Sequence, residues 1–441
     1  MKPSAPITIP RAEHGITRAN ISPSALKVLY RLKDAGFQAC LVGGGVRDLL
    51  LGREPKDFDI ATDAHPEQVR QLFRNCRLIG RRFRLAHVMY GREIIEVATY
   101  RGRQDGEDDA ADSAVTDEGR ILRDNVYGTQ EADAWRRDFS VNALYYDIAD
   151  FSVRDYVGGM ADLKAGVLRM IGDPEARYRE DPVRMLRAAR FAAKLGFRLE
   201  PATAAPIPRL AELLRDIAPS RIYEEVLKLF LSGEGVASFE LLRQYGLFGE
   251  LFPHTEAALA RELDGHPQIL VSRALENTDR RIDEGKSVTP AFLFAALLWP
   301  PVQQRWRATA EDLGDLPALQ SAGAWIVNEQ SGSTAIPKRF SMPMREIWQL
   351  QPRFEQLSGS RPARLITHPR FRAAYDFLLL RGEAGEVDQK LCDWWTQFQA
   401  AGESDRERLL ATTIGERKPA KKRRRRRGKS GGGGAGTGGD A

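Results

Sequence analysis

The chain has 441 residues, 42% of them hydrophobic and 29% charged, which is enough for about two to four folded domains. No apolar run reaches the length of a membrane span, and the first residues lack the pattern of a signal peptide, so we expect a cytoplasmic protein. Three scattered cysteines (Cys40, Cys76 and Cys392) and six histidines without metal-binding spacing argue against a zinc site and indicate reduced thiols.

The chain begins with a Pro-rich segment, residues 1–21, that we expect to be extended and flexible. Ser22 or Ser24 then provides the N-cap of an apolar helix that ends at Gly36. Residues 37–42 read as a first strand. The first regular elements are therefore expected from residue 22 onward.

The stretch from Leu41 to Thr62 carries the densest chemistry. It reads as a short apolar strand, a turn through three glycines, a helix, and a second strand that contains Asp57 and Asp59. Side chains alternate along a strand, so the two carboxylates should share a face while Phe58 points into the core. Adjacent carboxylates repel unless a cation lies between them, and Mg²⁺ prefers such oxygen ligands.

The glycine turn adds a second feature to that stretch. Gly43, Gly44 and Gly45 allow backbone N–H groups to approach a phosphate at the start of the next helix. Each feature alone has an ordinary explanation, a turn or a solvated strand end. A dinucleotide-binding fingerprint does not fit, because Asp48 stands where its third glycine should be. A phosphate cradle joined to a carboxylate pair favours nucleotidyl transfer.

A hairpin should follow beside the Asp-x-Asp strand. The run that contains GRRFRLAHV leads into one strand, the chain turns at Gly91, and residues 94–100 form the return strand. Its Glu96 could reach the same metal as Asp59. The polar, acidic segment from Gly102 to Asp133 predicts a mobile loop.

Two further motifs concentrate guanidinium groups. In RRDFSVNA, Arg136 and Arg137 precede Asp138, and arginine forks match phosphate oxygens. In EDPVR, Glu180 to Arg184, an acceptor and a donor lie within one helical turn. A surface salt-bridge cluster and a capped helix would explain each motif separately.

Taken together, these motifs resemble the class II branch of the polymerase-β-like nucleotidyltransferases, which contains tRNA CCA-adding enzymes and bacterial poly(A) polymerases. GRRFRLAHV resembles the segment that distinguishes the poly(A) polymerases. The match is dense from Leu41 to Leu199 and thinner beyond. It implies a mixed-sheet α/β head followed by all-helical neck, body and leg. We place the head at residues 22–171, the neck at 172–255 and the body and leg at 256–402.

The resemblance also implies the functional residues. Asp57, Asp59 and Asp138 would be the catalytic carboxylates that hold two Mg²⁺ ions, with Glu96 as a rival for the third position. ATP would be the substrate. The implied nucleotide-binding residues are Gly43, Gly44, Arg47, Arg136, Arg137, Asn142, Asp181, Arg184 and Arg187.

The implied activity is addition of AMP from ATP to RNA 3′ ends without a template. A tRNA CCA-adding enzyme, with the same chemistry but CTP as a second substrate, is the alternative within the family. A catalytically idle RNA-binding protein is the alternative of another class, and the intact carboxylates argue against it. RNA 3′ ends and ATP are the implied partners, and proteins of RNA decay are further candidates.

From residue 172 the pattern is helical almost throughout. Residues 178–195 predict one helix on which Arg184, Arg187 and Arg190 form a ridge. Helices are also predicted at residues 221–232, 236–245, 290–298, 318–329 and 371–380.

The C-terminal segment, residues 403–441, turns charged and then Gly-rich. Ten Lys or Arg lie between Arg417 and Lys429, whereas the rest of the chain holds slightly more acids than bases. Without an apolar pattern the tail cannot form a core, so we expect disorder and electrostatic RNA binding. The expected RNA-binding residues are Lys421, Lys422, Arg423, Arg424, Arg425, Arg426 and Arg427.

Overall fold

A mixed eight-stranded sheet forms the centre of the N-terminal third of the protein. The computed structural model describes residues 6–80, 84–102, 113–115, 121–124, 126–261 and 269–416. The strands are β1 (Ile7–Ile9), β2 (Ala39–Val42), β3 (Asp59–Thr62), β4 (Cys76–Ile79), β5 (Leu85–Tyr90), β6 (Glu93–Thr99), β7 (Ser113–Val115), β8 (Ile121–Asp124), β9 (Leu144–Asp147), β10 (Val153–Asp155), β11 (Val167–Leu168) and β12 (Arg198–Leu199).

The sheet has the strand order β1-β10-β9-β2-β3-β6-β5-β4. The β3–β6 pair is parallel, and the other neighbouring pairs are antiparallel. Strand β2 is buried along its whole length, as its central position requires. The hairpin β5–β6 lies beside the Asp59 strand, as the sequence predicts.

Helices cover the head and make up most of the described chain after it. They are α1 (Pro23–Asp34), α2 (Gly44–Leu50), α3 (Pro66–Leu72), α4 (Gln130–Arg136), α5 (Gly159–Ala165), α6 (Pro174–Glu180), α7 (Val183–Leu195), α8 (Pro201–Ala204), α9 (Ile207–Leu210), α10 (Pro219–Phe230), α11 (Gly235–Gln244), α12 (Leu247–Leu251), α13 (Pro253–Leu259), α14 (Leu270–Asp283), α15 (Pro290–Leu297), α16 (Trp299–Leu313), α17 (Asp315–Gln330), α18 (Lys338–Phe354), α19 (Arg361–Ile366), α20 (Phe371–Glu383), α21 (Gln389–Ala400) and α22 (Glu403–Glu416).

One buried apolar cluster runs from the head sheet through the neck helices to Trp348 of α18 and Phe377 and Leu380 of α20. A second cluster, around Trp395, holds the C-terminal helices together. Continuous burial of this kind fixes α7 and α10 against the head. In the described part of the chain, no helix is both long and apolar enough to cross a membrane.

The α/β head and the helical remainder are confirmed, and the domain boundaries stay a prediction. The predicted helix over residues 178–195 is wrong in one respect, because it is broken between α6 and α7. Asp181 is extended (φ −148°, ψ 93°), since the residue before Pro182 is disfavoured in the helical region.

The structure also differs from the sequence-based predictions in the bounds of several elements. Residues 7–9 of the segment expected to be flexible pair with β10. The segment from Gly102 to Asp133 is not simply a loop, since β7 pairs with β8 and α4 begins at Gln130. Helix α2 starts at Gly44, so two of the three glycines expected to form the turn belong to the helix. The basic residues 421–427 lie outside the described residues.

Candidate active site

Two carboxylates lie at the mouth of a cavity of about 680 Å³ between the head sheet and α7. Asp59 opens strand β3, but exposed Asp57 precedes the strand, so the prediction that one strand contains both acids is wrong for Asp57. Phe58 between them is buried, as predicted. Strand pairing sets Asp59 directly opposite Glu96 of β6. Glu96 also lines the cavity, so three carboxylates border one space.

The turn requires glycine because of its backbone conformation and because neighbouring groups lie close to its backbone. Gly43 has φ +75° and ψ −138°, a conformation that strongly favours glycine. A Cβ at Gly43 would lie 3.5 Å from Arg137 NH1 and 3.9 Å from Asp59 Oδ2. A Cβ at Gly45 would lie 3.2 Å from the carbonyl oxygen of Asp57. The turn therefore brings its backbone close to the carboxylates and to Arg137.

Asp59 is electrostatically unfavourable in its ionised form. Burial, followed by the charge of Glu96, raises its pKa to about 6, with Asp57 adding to the effect and Arg137 opposing it. A carboxylate in this state is stabilised by a cation placed next to it. The cavity thus favours a positive ligand at Asp59.

This gives a stability prediction for Asp59→Asn. The folded-state pKa lies above the ordinary value of 3.8, so the native state binds more protons between those pH values and its stability falls as pH rises toward 7. Above pH 7 the penalty is on the order of 3 kcal/mol. Removing the charge should therefore increase the free energy of unfolding at pH 7.5 in EDTA, and the gain should shrink toward pH 4.

Denaturant unfolding of the wild type and the variant in EDTA at several pH values measures this. Asp57→Asn is the control, because Asp57 is exposed and its replacement should change the free energy of unfolding little. A less stable Asp59→Asn protein at pH 7.5 would contradict the account.

Arg137 is held in place from the head side. Its Nε and NH2 donate to Asp133 Oδ2 at 3.2 and 3.0 Å, and Nε also donates to the Tyr145 hydroxyl at 3.0 Å. The Tyr145 hydroxyl in turn donates to Asp133 Oδ2 at 2.6 Å. This network directs NH1 toward Gly43. Sequence reasoning missed Asp133 and Tyr145, although Asp133 lies one helical turn before Arg137.

Arg47 and Asn142 form a buried pair beneath the glycine turn. Arg47 is 1% exposed. Its NH1 donates to Asn142 Oδ1 at 2.6 Å and its Nε donates to Asp48 Oδ1 at 2.8 Å. Both predicted residues line the cavity, and their mutual bond joins α2 to the chain after the RRDF motif.

The Asp138 carboxylate is hydrogen-bonded to Arg187 of α7. Arg187 Nε and NH2 donate to Asp138 Oδ2 at 2.7 and 2.5 Å, and the Phe139 N–H donates to Oδ1 at 2.8 Å. Burial alone would raise the pKa of Asp138, but the charge and hydrogen bonds of Arg187 hold it below its ordinary value. Both Asp138 oxygens are therefore already engaged.

A second cavity of about 420 Å³ shares Arg137, Asp138 and Arg187 with the first. Arg136, Asp181 and Arg184, which the sequence analysis assigned to nucleotide binding, line it. Arg221 of α10 donates to Asp181 Oδ2 at 2.8 Å. Arg184 is paired with Glu180. The two cavities form one elongated site with carboxylates at one end and the EDPVR motif at the other.

Several supporting groups were not predicted from sequence. Arg177 NH2 donates to the backbone carbonyls of Arg136 and Arg137 at 2.6 and 2.8 Å, which ties α6 to the RRDF motif. Additional lysines and arginines border the first cavity: Lys56, Arg190, Lys194 and Lys228. The three-residue spacing from Arg187 to Arg190 was the available signal for part of this set.

Comparisons with known proteins agree with this geometry. Residues 39–169 match the family model of the poly A polymerase head domain. Residues 196–259 match a "probable RNA and SrmB- binding site of polymerase A", and residues 311–429 match a "polymerase A arginine-rich C-terminus". Poly(A) polymerase I of Escherichia coli O157:H7 is 53% identical over 420 residues, which is 94% of this chain and 90% of that protein. The chain belongs to the bacterial poly(A) polymerase I family.

A second member of the bacterial poly(A) polymerase I family, from Haemophilus influenzae, is 46% identical over 406 residues, 91% of this chain and 90% of that protein. The CCA-adding enzyme of Lactobacillus helveticus is 37% identical over only 58% of this chain and 61% of that protein. The solved Thermotoga maritima CCA-adding enzyme complexed with tRNA shares the fold, with a TM-score of 0.55 at 18% identity over 94% of this chain and 97% of that one.

Proposed function

We propose that this protein is a template-independent polynucleotide adenylyltransferase that adds AMP from ATP to RNA 3′ ends. One observation carries the proposal: in a chain of the bacterial poly(A) polymerase I family, the Asp57–Asp59 pair and the arginines of two motifs line one continuous site. The CCA-adding enzyme of Lactobacillus helveticus has lower sequence identity to this chain and covers less of it, which supports poly(A) addition over CCA addition. The intact carboxylate pair argues against an idle RNA-binding protein.

The arrangement suggests where each part of the substrates binds. The triphosphate would lie between the glycine turn and Arg137, where a guanidinium NH1 and backbone N–H groups converge. Gly43, Gly44, Arg47 and Asn142 would shape that end, with Asn142 near the ribose. The base would lie in the second cavity, against Arg136, Asp181, Arg184 and Arg187.

The family implies two Mg²⁺ ions, and the donor set fits them. Asp59 is destabilised by neighbouring negative charge, and carboxylates plus substrate phosphates are the usual Mg²⁺ ligands. Among the described residues no three His, Cys, Asp or Glu side chains form a complete metal site, so the nucleotide would supply further ligands. Asp57 and Asp59 would hold the ions, and bound Mg²⁺ would supply positive charge for the RNA 3′ hydroxyl and the pyrophosphate leaving group.

The third carboxylate is a choice between Asp138 and Glu96. Asp138 matches the family motif, but Arg187 neutralises it. Glu96 is opposite Asp59 and raises its pKa. We favour Glu96 as the third carboxylate on this ground, with Asp138 holding Arg187 for the nucleotide.

Alanine variants of the two residues distinguish these roles. If Glu96 completes the carboxylate set, Glu96→Ala should raise the Mg²⁺ concentration needed for half-maximal RNA extension, while Asp138→Ala should mainly raise the KM for ATP. Extension rates measured over a grid of Mg²⁺ and ATP concentrations separate the two effects. The reverse assignment would return the third position to Asp138.

Extension of labelled RNA with each NTP separately tests the function. The proposal expects long products with ATP alone and none of comparable length with CTP, GTP or UTP. A tRNA lacking its CCA end, supplied with CTP and ATP, should not give a product that stops after three additions. Such a stop would select the CCA-adding alternative, and no extension would select the idle protein.

The basic tail is proposed to tether RNA. Its ten Lys or Arg would bind phosphates without reading sequence and release counterions, so affinity should fall steeply with salt. A tether would also raise the local RNA concentration near the head. Cytoplasmic localisation and partners among RNA-decay proteins are consistent with this function and stay predictions.

Deleting every residue after Glu416 should leave the extension rate at saturating RNA unchanged. The truncated protein should bind RNA more weakly, and its plot of log affinity against log salt should be flatter, because fewer phosphates are neutralised. Fluorescence anisotropy at several KCl concentrations measures both. Equal affinity and equal slope would assign RNA binding to the head and helical domains alone.

A further inference from the structure

A row of polar residues crosses the sheet toward Asp59. Strand pairing sets Arg77 opposite His87, His87 opposite Glu96, and Glu96 opposite Asp59. Residues directly opposite one another share a face of the sheet, and their side chains are close enough to interact. His87 is therefore on the same face as the carboxylates, one strand beyond Glu96.

The core fixes the direction of this row. The neighbours of His87 along β5, Ala86 and Val88, are fully buried. The neighbours of Glu96 along β6, Ile95 and Val97, are each only 1% exposed. A slip of one residue would expose these apolar groups and bury the polar ones. The hairpin therefore presents His87 and Glu96 to the cavity as a rigid pair.

The two side chains touch. His87 Nε2 lies 3.2 Å from Glu96 Oε1, with the histidine side chain 19% exposed and the glutamate side chain 47% exposed. The contact is within ion-pair distance but is not aligned as a hydrogen bond, and among the described residues buried Nε2 has no hydrogen-bond partner, so Glu96 is the acceptor within its reach. Both line the same cavity as Asp57 and Asp59. A glutamate exposed to this degree samples several rotamers when it has no partner, and a hydrogen-bond donor on the next strand would reduce their number.

We propose that His87 is a positioning residue that holds the Glu96 carboxylate beside Asp59 and so sets the Mg²⁺ affinity of this carboxylate group. The inference rests on the proposed function and deepens it. Hydrogen-bond partners that orient a ligating carboxylate typically contribute about 10- to 100-fold to metal affinity. His87 would act through Nε2–H, so a glutamine, whose amide nitrogen has similar reach, should replace it.

The test is a Mg²⁺ titration with two readouts. One is the melting temperature of the protein with ATP but without RNA, since the nucleotide would supply further Mg²⁺ ligands, and the other is the rate of RNA extension. His87→Ala should raise the Mg²⁺ midpoint of both by about tenfold, with the rate at saturating Mg²⁺ close to wild type. His87→Gln should restore most of the affinity. In a Glu96→Gln background, His87→Ala should cause no further shift, because its target is gone.

Glu93→Gln is the matched control, since Glu93 is on β6 but three residues from Glu96 and therefore on the other face. It should leave the Mg²⁺ midpoint unchanged. A wild-type midpoint in folded His87→Ala, or multiplicative effects of His87→Ala and Glu96→Gln, would overturn the inference. If the wild-type protein fails to extend RNA, the proposed function fails, and the melting-temperature titration still decides the role of His87.

Discussion

Alanine in place of Asp57 or Asp59 should reduce AMP transfer to RNA by about 10³-fold or more while RNA affinity stays at the wild-type level. The reason is that each carboxylate would stabilise charge that develops during transfer, an effect of several kcal/mol. RNA affinity should persist because the basic groups around the cavity and in the tail are unchanged. Single-turnover extension of labelled RNA, paired with an RNA-binding titration, measures both quantities.

Asp34→Asn provides the control for these variants. Asp34 is an exposed acid at the end of α1 that lines neither cavity, and its replacement should leave transfer unchanged. Substantial transfer by either alanine variant in saturating Mg²⁺ would remove the carboxylate pair from the mechanism.

Arg187→Ala should destabilise the protein and impair nucleotide use together. The substitution leaves the Asp138 carboxylate, which is 11% exposed, without its cation. Loss of one partner of a buried pair typically lowers the free energy of unfolding by 3–5 kcal/mol; because Arg187 is 34% exposed, we expect about 3 kcal/mol. Since Arg187 borders both cavities, the KM for ATP should also rise.

A second variant separates the two effects of Arg187→Ala. Adding Asp138→Asn removes the unpaired charge, so the double variant should recover part of the lost stability without recovering the KM for ATP. Denaturant unfolding at pH 7.5 measures the recovery. A double variant no more stable than Arg187→Ala would mean that Arg187 does not stabilise the ionised form of Asp138.

The sequence predicted the parts of the site that are local in the chain. Alternation placed Phe58 in the core, and the Gly43 turn and the hairpin beside Asp59 followed from residues close to one another in sequence. The spacing of Arg184, Arg187 and Arg190 likewise indicated a shared ridge. These features depend on backbone periods that can be counted from the sequence.

The contacts that the sequence did not predict join distant segments. Arg187 reaches Asp138 across 49 positions, Arg221 reaches Asp181 across 40, and Arg47 reaches Asn142 across 95. The sequence identified Asp138, Arg47 and Asp181 as chemical groups but not which partner would neutralise each. That choice depends on how α2, α7 and α10 pack, which their residue periods do not determine.

The most direct measurement follows the α-phosphate of ATP. RNA with a free 3′ hydroxyl and the same RNA with a 3′-deoxy end are each mixed with α-³²P-ATP and the wild-type protein in one turnover. The account predicts label in the RNA with the free hydroxyl, matched by released pyrophosphate, and none in the 3′-deoxy RNA or on the protein. Label on the protein, or equal labelling of both RNAs, would contradict direct transfer of AMP to the RNA 3′ hydroxyl.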